Sequence, residues 1–356
     1  MEEIYFCVLL SNNPVKTPAT ISDTLNLLSK LTLSRTWNGL QVLGSYYLSR
    51  ITRKAIHKGL PVSIAFEPTT SCNLRCPECP SGLRSFTRPT GMLSGDLFKK
   101  TIDELHKKLL YLTFYFQGEP YLHPQFLELV QYAASKKIYT STSTNAHYLT
   151  DANARKTVES GLDRLIISID GTTQETYQQY RVGGKLDKVI EGAKNVIRWK
   201  QQLGSKTPFI VFQFLVVKPN EHQIADVQKL ASELGVDSVG LKTAQIYDHE
   251  QGSPLIPSID KYSRYRQTTS GTYQVKNGLG NHCWKMWHSC VITWDGLVVP
   301  CCFDKDAHHR MGDVSKQSFS NLWAGKSYSQ FRQLLLQSRS KIEMCKNCTE
   351  GTQVWS

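Results

Sequence analysis

Cys72-Asn73-Leu74-Arg75-Cys76-Pro77-Glu78-Cys79 is the stretch on which the reading of this 356-residue chain turns. Intervals of three and two residues bring three thiols onto one short loop, and the next cysteine along the chain is Cys283. Three soft ligands without a fourth suit an iron–sulfur cube with one iron left open, since a closed cluster takes four. An open iron can bind and activate a small molecule. A structural zinc site is the competing reading, but structural zinc is closed by four ligands.

The segments around this loop alternate in type. Val62-Ser63-Ile64-Ala65-Phe66 reads as a strand that delivers the loop at its carboxyl end. Further strands are expected at 111–116, 138–142, 165–169, 210–217 and 238–242. Helices are expected at 97–110, 124–136, 187–203 and 223–234, with Thr150 capping another that ends before Gly161. Six strands alternating with helices call for an α/β fold with a parallel sheet and right-handed crossovers.

Function in such a fold collects at the carboxyl ends of the strands. Gln117-Gly118-Glu119-Pro120 follows the second strand and Ser143-Thr144-Asn145 the third. Ser168-Ile169-Asp170-Gly171 follows the fourth, and Tyr180-Arg181-Val182-Gly183-Gly184 comes shortly after. Alone, each is an ordinary turn or loop sequence. Their placement after successive strands, downstream of the cysteine loop, is what groups them. Lys242, Gln245, Tyr247 and Asp248, after the sixth strand, are candidate substrate contacts, with solvated loop residues as the alternative.

The last quarter of the chain has its own cysteine pattern. Cys283 and Cys301 flank a hairpin, and Cys345-Lys346-Asn347-Cys348 supplies a close pair. Four thiolates at this spacing would close a second cube, and a four-cysteine zinc site has compatible spacing. Asp295-Gly296 is a two-residue turn signal. Counting outward from it sets Cys290 across from Cys301 on one face and turns Cys302 to the other. On that count Cys290 rivals Cys283 for the fourth ligand position.

The Cys-x3-Cys-x2-Cys loop resembles the signature of the radical S-adenosylmethionine (SAM) enzymes. The resemblance implies a partial (β/α)6 TIM-like barrel and a [4Fe–4S] cluster on Cys72, Cys76 and Cys79. Its open iron chelates the amino and carboxylate groups of SAM, and an electron cleaves the sulfonium to a 5′-deoxyadenosyl radical. Gln117-Gly118-Glu119-Pro120 is similar to the Gly-Gly-Glu-Pro motif of that family, with Gln117 replacing the first glycine. The motif implies that Gly118, Glu119 and Pro120 line the SAM ammonium. Asn145 would meet the ribose or carboxylate, Ser168 and Asp170 the ribose or substrate, and Arg181 the SAM carboxylate. Many members carry an aromatic residue before the third cysteine, where this chain has Glu78.

The C-terminal cysteines resemble the shortened auxiliary-cluster module (twitch) of the SPASM group, which implies one auxiliary [4Fe–4S] cluster on Cys283, Cys301, Cys345 and Cys348. Cys283, Gly296 and Cys301 look like the opening of that module, which favours Cys283 over Cys290. No cysteine follows Cys348, so one such cluster is expected. Cys302 is a candidate catalytic residue, donating a hydrogen atom to a substrate radical as cysteines do in radical epimerases; a small buried apolar residue is the alternative.

The organisation expected is an N-terminal helical extension (1–60), a barrel (61–247), a linker (248–282) and a cluster module of hairpin plus helix (283–356). An apolar fraction of 40% with 13 Phe, 16 Tyr and 7 Trp excludes a disordered chain. No run of 18 apolar residues predicts a membrane span. Met1-Glu2-Glu3-Ile4-Tyr5 lacks a basic export signal, so the ten cysteines point to metal ligation in a reducing cytoplasm. The formal net charge of +12 suits acidic or phosphate-bearing substrates, lipid headgroups or RNA, or is a solvated basic surface. Leucines at helical spacing from Leu25 to Leu48, with basic Arg50, Arg53, Lys54 and Lys58 after them, read as helix packed on the next domain or laid on a membrane surface.

The function expected is hydrogen abstraction from an unactivated C–H bond of a peptide or small-molecule substrate, with flavodoxin or ferredoxin as reducing partner. An RNA- or lipid-modifying enzyme and a non-catalytic iron–sulfur carrier are the other classes. No additional RNA-binding module is seen.

Overall fold

The computed structural model describes residues 18–276 and 278–351. Residues 1–17 of the expected extension and 352–356 of the expected cluster module lie outside the described residues. Two helices lead in, α1 (Pro18–Ser29) and α2 (Leu33–Thr52). Thr32 ends the break between them, its hydroxyl accepting the Arg35 N–H at 3.2 Å.

A βα alternation follows: β1 (Ser63–Phe66), α3 (Pro80–Leu83), α4 (Gly95–Leu105), β2 (Tyr111–Thr113), α5 (Phe126–Ser135), β3 (Tyr139–Thr144), α6 (Asp151–Glu159) and β4 (Arg164–Ser168). It continues through α7 (Gln174–Tyr180), α8 (Leu186–Gln202), β5 (Phe209–Val216), α9 (Ile224–Leu234) and β6 (Ser238–Thr243). Strands β1 to β6 pair in sequence order, all parallel. Thr150 caps α6 through its hydroxyl, and Gly235 ends α9 at φ +79°. The apolar runs bury on both faces of the sheet: Leu165, Ile166 and Ile167 are inaccessible to solvent, as are Phe212 and Phe214. Helix α7 was not expected; its polar sequence, Gln174-Glu175-Thr176-Tyr177-Gln178-Gln179-Tyr180, has no apolar stripe to announce it.

After β6 come a small hairpin, β7 (Tyr265–Gln267) with β8 (Tyr273–Val275), within the stretch expected as linker, then α10 (Lys285–His288). Strand β9 (Ser289–Ile292) pairs parallel with β1, and β10 (Leu297–Val299) and β11 (Gly312–Asp313) extend from it. The cysteine-rich hairpin is thus the far edge of the barrel sheet, which has nine strands. Helices α11 (Phe319–Trp323), α12 (Lys326–Ser338) and α13 (Glu343–Lys346) close the C-terminal part.

The hairpin register differs from expectation by one residue. Val299 faces Val291 and Val298 faces Ile292, which sets Pro300, not Cys301, opposite Cys290. The loop has three residues, with Thr293 and Leu297 bonded across it and Gly296 at φ +90°. Trp294 is drawn out of the ladder: its N–H meets the Glu67 carboxylate at 3.2 Å and its indole the Pro89 carbonyl at 3.2 Å.

The lead-in helices also sit differently from a conventional packed pair. Both lie across the amino ends of the strands. Asn26 and Lys30 bind Asp163, and Asp23 binds Tyr139 and Arg164. Arg35 donates to the carbonyls of His106, Lys136 and Lys137, and Asn38 to that of Leu60. The buried face of α2 is therefore Arg35, Asn38, Val42, Ser45, Tyr46 and Ser49. Several leucines expected to pack, among them Leu25, Leu28, Leu33, Leu40 and Leu48, are exposed.

Candidate active site

The cysteine loop hangs from the carboxyl end of β1 and is seated by its neighbours. Cys76 and Cys79 are bridged by a backbone bond of 3.3 Å, and Gly82 in α3 lies so close to Cys76 that a Cβ there would fall 2.6 Å from its nitrogen. Burial pushes the Cys72 thiol up to about 11 and raises that of Cys76.

The expected companions converge on this loop. Gly118 is at φ +76°, and a side chain there would run into the carbonyl oxygen of Thr69. Its N–H donates to the Ser81 hydroxyl at 2.8 Å, and the Glu119 N–H to the Ser71 carbonyl at 2.8 Å. Pro120 starts the short helical turn Pro120–Leu122 that follows. The buried Glu119 carboxylate accepts from the Thr144 hydroxyl at 2.7 Å, the Asn145 N–H at 2.8 Å and the Tyr121 N–H at 3.3 Å. Burial nevertheless pushes this carboxyl up to about 7, against those three donors. The Asn145 amide reaches the Asn73 oxygen at 2.8 Å and stands 3.9 Å from Cys72 Sγ.

On the other side, Ser168 ends β4 and is buried. Asp170 accepts from Arg181 Nε at 2.5 Å and from the Leu215 N–H at 2.7 Å, while Arg181 Nη1 lies 3.8 Å from Cys76 Sγ. Asn220 fastens this corner, donating to the carbonyls of Asp170 at 3.0 Å and Leu215 at 2.8 Å.

Glu78 turns away from the loop to accept the Tyr247 N–H at 3.0 Å. The Tyr247 ring faces Lys305, whose ammonium lies 4.7 Å from its centroid and within electrostatic reach of Cys79 and Cys302. Cys302 packs against Val291, Val299 and Ala307, with Ala65 and Phe116 in the same group. Of the other loop candidates, Lys242 lies near Glu350.

Cys283, Cys301, Cys345 and Cys348 line one pocket together with Lys285, Met286, Phe303, Arg339 and Glu350. Gly351, at φ +77°, presses on Cys283 so closely that a Cβ would meet its sulfur. Burial pushes Cys345 up to about 11 and Cys348 up to about 12. Arg339 donates to Cys348 Sγ at 3.4 Å and to the Glu350 and His282 carbonyls. Although burial opposes its ionisation, Lys285, Lys242 and Arg264 hold the Glu350 carboxyl at about 2. Cys290 lies outside this pocket, beside Tyr328, where burial pushes its thiol up to about 12.

Sequence reasoning missed Asn73, Ser81, Asn220, Lys305 and Arg339. Asn73 was legible in principle as the amide inside the cysteine loop. The others act from distant segments, and nothing local marks them. Among the described residues, no three of His, Cys, Asp and Glu converge closely enough to hold one metal ion. Thiolates round a cube stand at its separate corners.

A parallel barrel with a three-thiol loop at its mouth, and a second cysteine pocket on its sheet edge, defines an iron–sulfur protein built around a small-molecule cofactor. The family comparisons agree. Residues 66–231 match the radical SAM superfamily, and residues 283–349 match SPASM, an iron–sulfur cluster-binding domain. The chain belongs to the radical SAM superfamily and is an enzyme of that class, using [4Fe–4S] chemistry and SAM. It is 27% identical over 299 residues, 75% of this chain and 82% of the relative, to a tungsten-containing aldehyde ferredoxin oxidoreductase cofactor-modifying protein of Pyrococcus furiosus. It is 27% identical over 296 residues, 77% of this chain and 72% of the relative, to the mycofactocin maturase MftC of Mycobacterium tuberculosis. Among solved structures, Streptococcus suis SuiB bound to S-adenosylmethionine shares the fold, with a TM-score of 0.60 at 13% identity over 77% of this chain and 68% of that one. No helix among the described residues is long and apolar enough to cross a membrane.

Proposed function

We propose that this enzyme is an oxidoreductase that abstracts hydrogen from an unactivated C–H bond of a peptide or small-metabolite substrate, assisted by one auxiliary [4Fe–4S] cluster. The observation that carries the reading is the convergence of the three-thiol loop with Glu119, a buried carboxylate held by neutral donors. Such a group calls for a cation, and the ammonium of SAM supplies one. The donor set of Cys72, Cys76 and Cys79 fits a cube with an open iron. When bound and reduced, that cluster supplies the electron that cleaves SAM to the 5′-deoxyadenosyl radical.

The chain's own part is to bind and orient. Gly118 keeps the backbone close beside the loop, and Pro120 sets the turn that aims Glu119. Asp170 holds Arg181 so that the guanidinium can meet the SAM carboxylate. Asn145 and Ser168 are assigned to the ribose side. Tyr247 and Lys305 line the substrate side with Cys302, which is assigned as the hydrogen-atom donor to a substrate radical.

Cys283, Cys301, Cys345 and Cys348 are assigned as the ligands of the auxiliary cluster, since all four face one pocket and Cys290 does not. The division into a barrel at 61–247 and a cluster module from 283 follows the same assignment. Relatives named for modifying a cofactor and for maturing mycofactocin support a peptide or cofactor precursor as substrate. Flavodoxin or ferredoxin in the cytoplasm is the expected electron source.

The test is anaerobic reconstitution followed by reduction with SAM. Formation of 5′-deoxyadenosine supports the reading, and deuterium passing into it from a labelled substrate locates the attacked position. A protein that holds both clusters yet leaves SAM intact would be an electron carrier.

A further inference from the structure

Helix α2 turns a face rich in polar residues inward and an apolar face outward. Its inward face sets Arg35, Asn38, Ser45 and Ser49 among Val42 and Tyr46, and Arg35 and Asn38 donate to backbone carbonyls at the base of the barrel. Its outward face carries Leu33, Trp37, Leu40, Tyr47, Leu48 and Ile51 at helical spacing. Leu33 is 92% exposed, Ile51 79% and Trp37 61%. In α1 the same pattern recurs, with Ile21, Leu25 and Leu28 outward. Scattered apolar residues on a surface are ordinary, but large exposed side chains repeating at helical spacing on two successive helices are not.

The sequence of this stretch carries formal charge of one sign. From Thr24 to Phe66 there is no Asp or Glu; of the cations in that span Lys30 pairs with Asp163 and Arg35 is buried, which leaves Arg50, Arg53, Lys54 and Lys58. Arg53 and Lys54 stand exposed at one end of α2. Lys107 and Lys137, on the turns that Arg35 grips, stand exposed at the other, where the nearby Asp103 is paired with Lys136. An apolar face with an aromatic residue, bounded at both ends by cations, is the pattern of a helix lying in a membrane interface. A second copy docking on the same stripe about a twofold axis would bring like charges together.

We propose that α1 and α2 seat the enzyme on an anionic lipid surface. Because both helices cover the amino ends of the strands, the cysteine loop at the carboxyl ends points away from the bilayer. The contact is a tether for the enzyme, and the mouth stays open to substrate and reductant from the aqueous side.

Reconstituted full-length enzyme should cosediment with phosphatidylglycerol/phosphatidylcholine vesicles, and the bound fraction should fall as salt rises. It should not sediment with pure phosphatidylcholine to the same extent. Trp37→Ser, Leu40→Ser and Ile51→Ser combined should weaken vesicle binding by about tenfold or more. Because these side chains are exposed, 5′-deoxyadenosine formation should be unchanged, which shows that the variant is folded. Arg53→Glu with Lys54→Glu should weaken binding to anionic vesicles alone. The proposal is overturned if the wild-type enzyme ignores anionic vesicles, or if the triple variant binds them equally well. It is also overturned if a lipid-free dimer exists that the triple variant breaks, which would make a second copy the occupant. Binding that appears only after removal of residues 1–17 would make the apolar Ile4-Tyr5-Phe6-Cys7-Val8-Leu9-Leu10 segment the occupant instead.

Discussion

Arg181 is clamped between an acid and a thiol: Asp170 takes its Nε at 2.5 Å while its Nη1 stands 3.8 Å from Cys76 Sγ. The carboxylate fixes the plane of the guanidinium, which the proposed function turns towards the SAM carboxylate. Asp170→Asn keeps the shape but removes the charge that orients the arginine. SAM affinity should fall by about tenfold to a hundredfold, equivalent to roughly 1.5–3 kcal/mol. Iron content and the cluster's absorption should stay as in the wild type. Titration of SAM into the reconstituted variant measures the first, and iron analysis the second. Loss of iron alongside affinity would make Asp170 a scaffold for the loop instead.

Cys290 and Cys301 separate cleanly in the structure. Cys301 lines the four-cysteine pocket, and Cys290 packs beside Tyr328. Cys301→Ala should therefore lower the iron bound by about four atoms per chain. Cys290→Ala should leave iron unchanged and cost only about 1 kcal/mol in stability as a small cavity. Equal iron loss in both variants would move the fourth ligand to Cys290.

Glu67 and Arg88 form a bidentate buried pair at 2.8 and 2.5 Å, and both side chains are nearly inaccessible. Arg88 also donates to the Lys305 carbonyl, and Glu67 takes the Trp294 N–H, so the pair joins the segment after the cysteine loop to the hairpin. Arg88→Met leaves a buried carboxylate alone and should destabilise by about 3–5 kcal/mol. Adding Glu67→Leu should restore most of that loss. Denaturant unfolding of the single and double variants, read as a cycle, tests the coupling.

Cys302 packs against Val291, Val299 and Ala307 and does not line the auxiliary pocket. If it donates hydrogen to a substrate radical, Cys302→Ala should still cleave SAM but lose the reduced product by a large factor. Full product formation by this variant would leave it a packing residue.

The sequence disclosed what depends on local spacing. The cysteine intervals, the Thr150 cap, the Gly235 stop and the motifs after β2, β3 and β4 are each decided within a few residues. The order of the six strands followed from crossover rules. Long-range partners hid the rest. The hairpin register moved by one because Glu67 and Pro89, more than 200 residues away, hold Trp294 out of the ladder. The facing of α2 was hidden for a related reason: a helix with one apolar and one polar face does not say which one the protein uses. The carbonyls of His106, Lys136 and Lys137 decided that. Arg339 reads as one more surface cation until its contact with Cys348 Sγ is seen.

His57 makes stability depend on pH in a definite direction. Its ring bonds the Trp287 carbonyl at 2.9 Å through Nε2 and stacks edge-on against Trp323. Burial first, and the nearby Arg332 second, push its folded pKa down from 6.5 to about 3. The unfolded chain therefore takes up a proton as pH falls through about 6.5, and the folded chain does not until about 3. This contribution to stability is fully present above 6.5 and is lost progressively as pH falls towards 3. His57→Gln can still donate to the Trp287 carbonyl but cannot titrate. The slope of unfolding free energy against pH between 6 and 5 should then fall by close to one proton relative to wild type. Unfolding in urea under oxygen-free buffer at several pH values measures both slopes, and parallel lines would mean that His57 is charged in the fold.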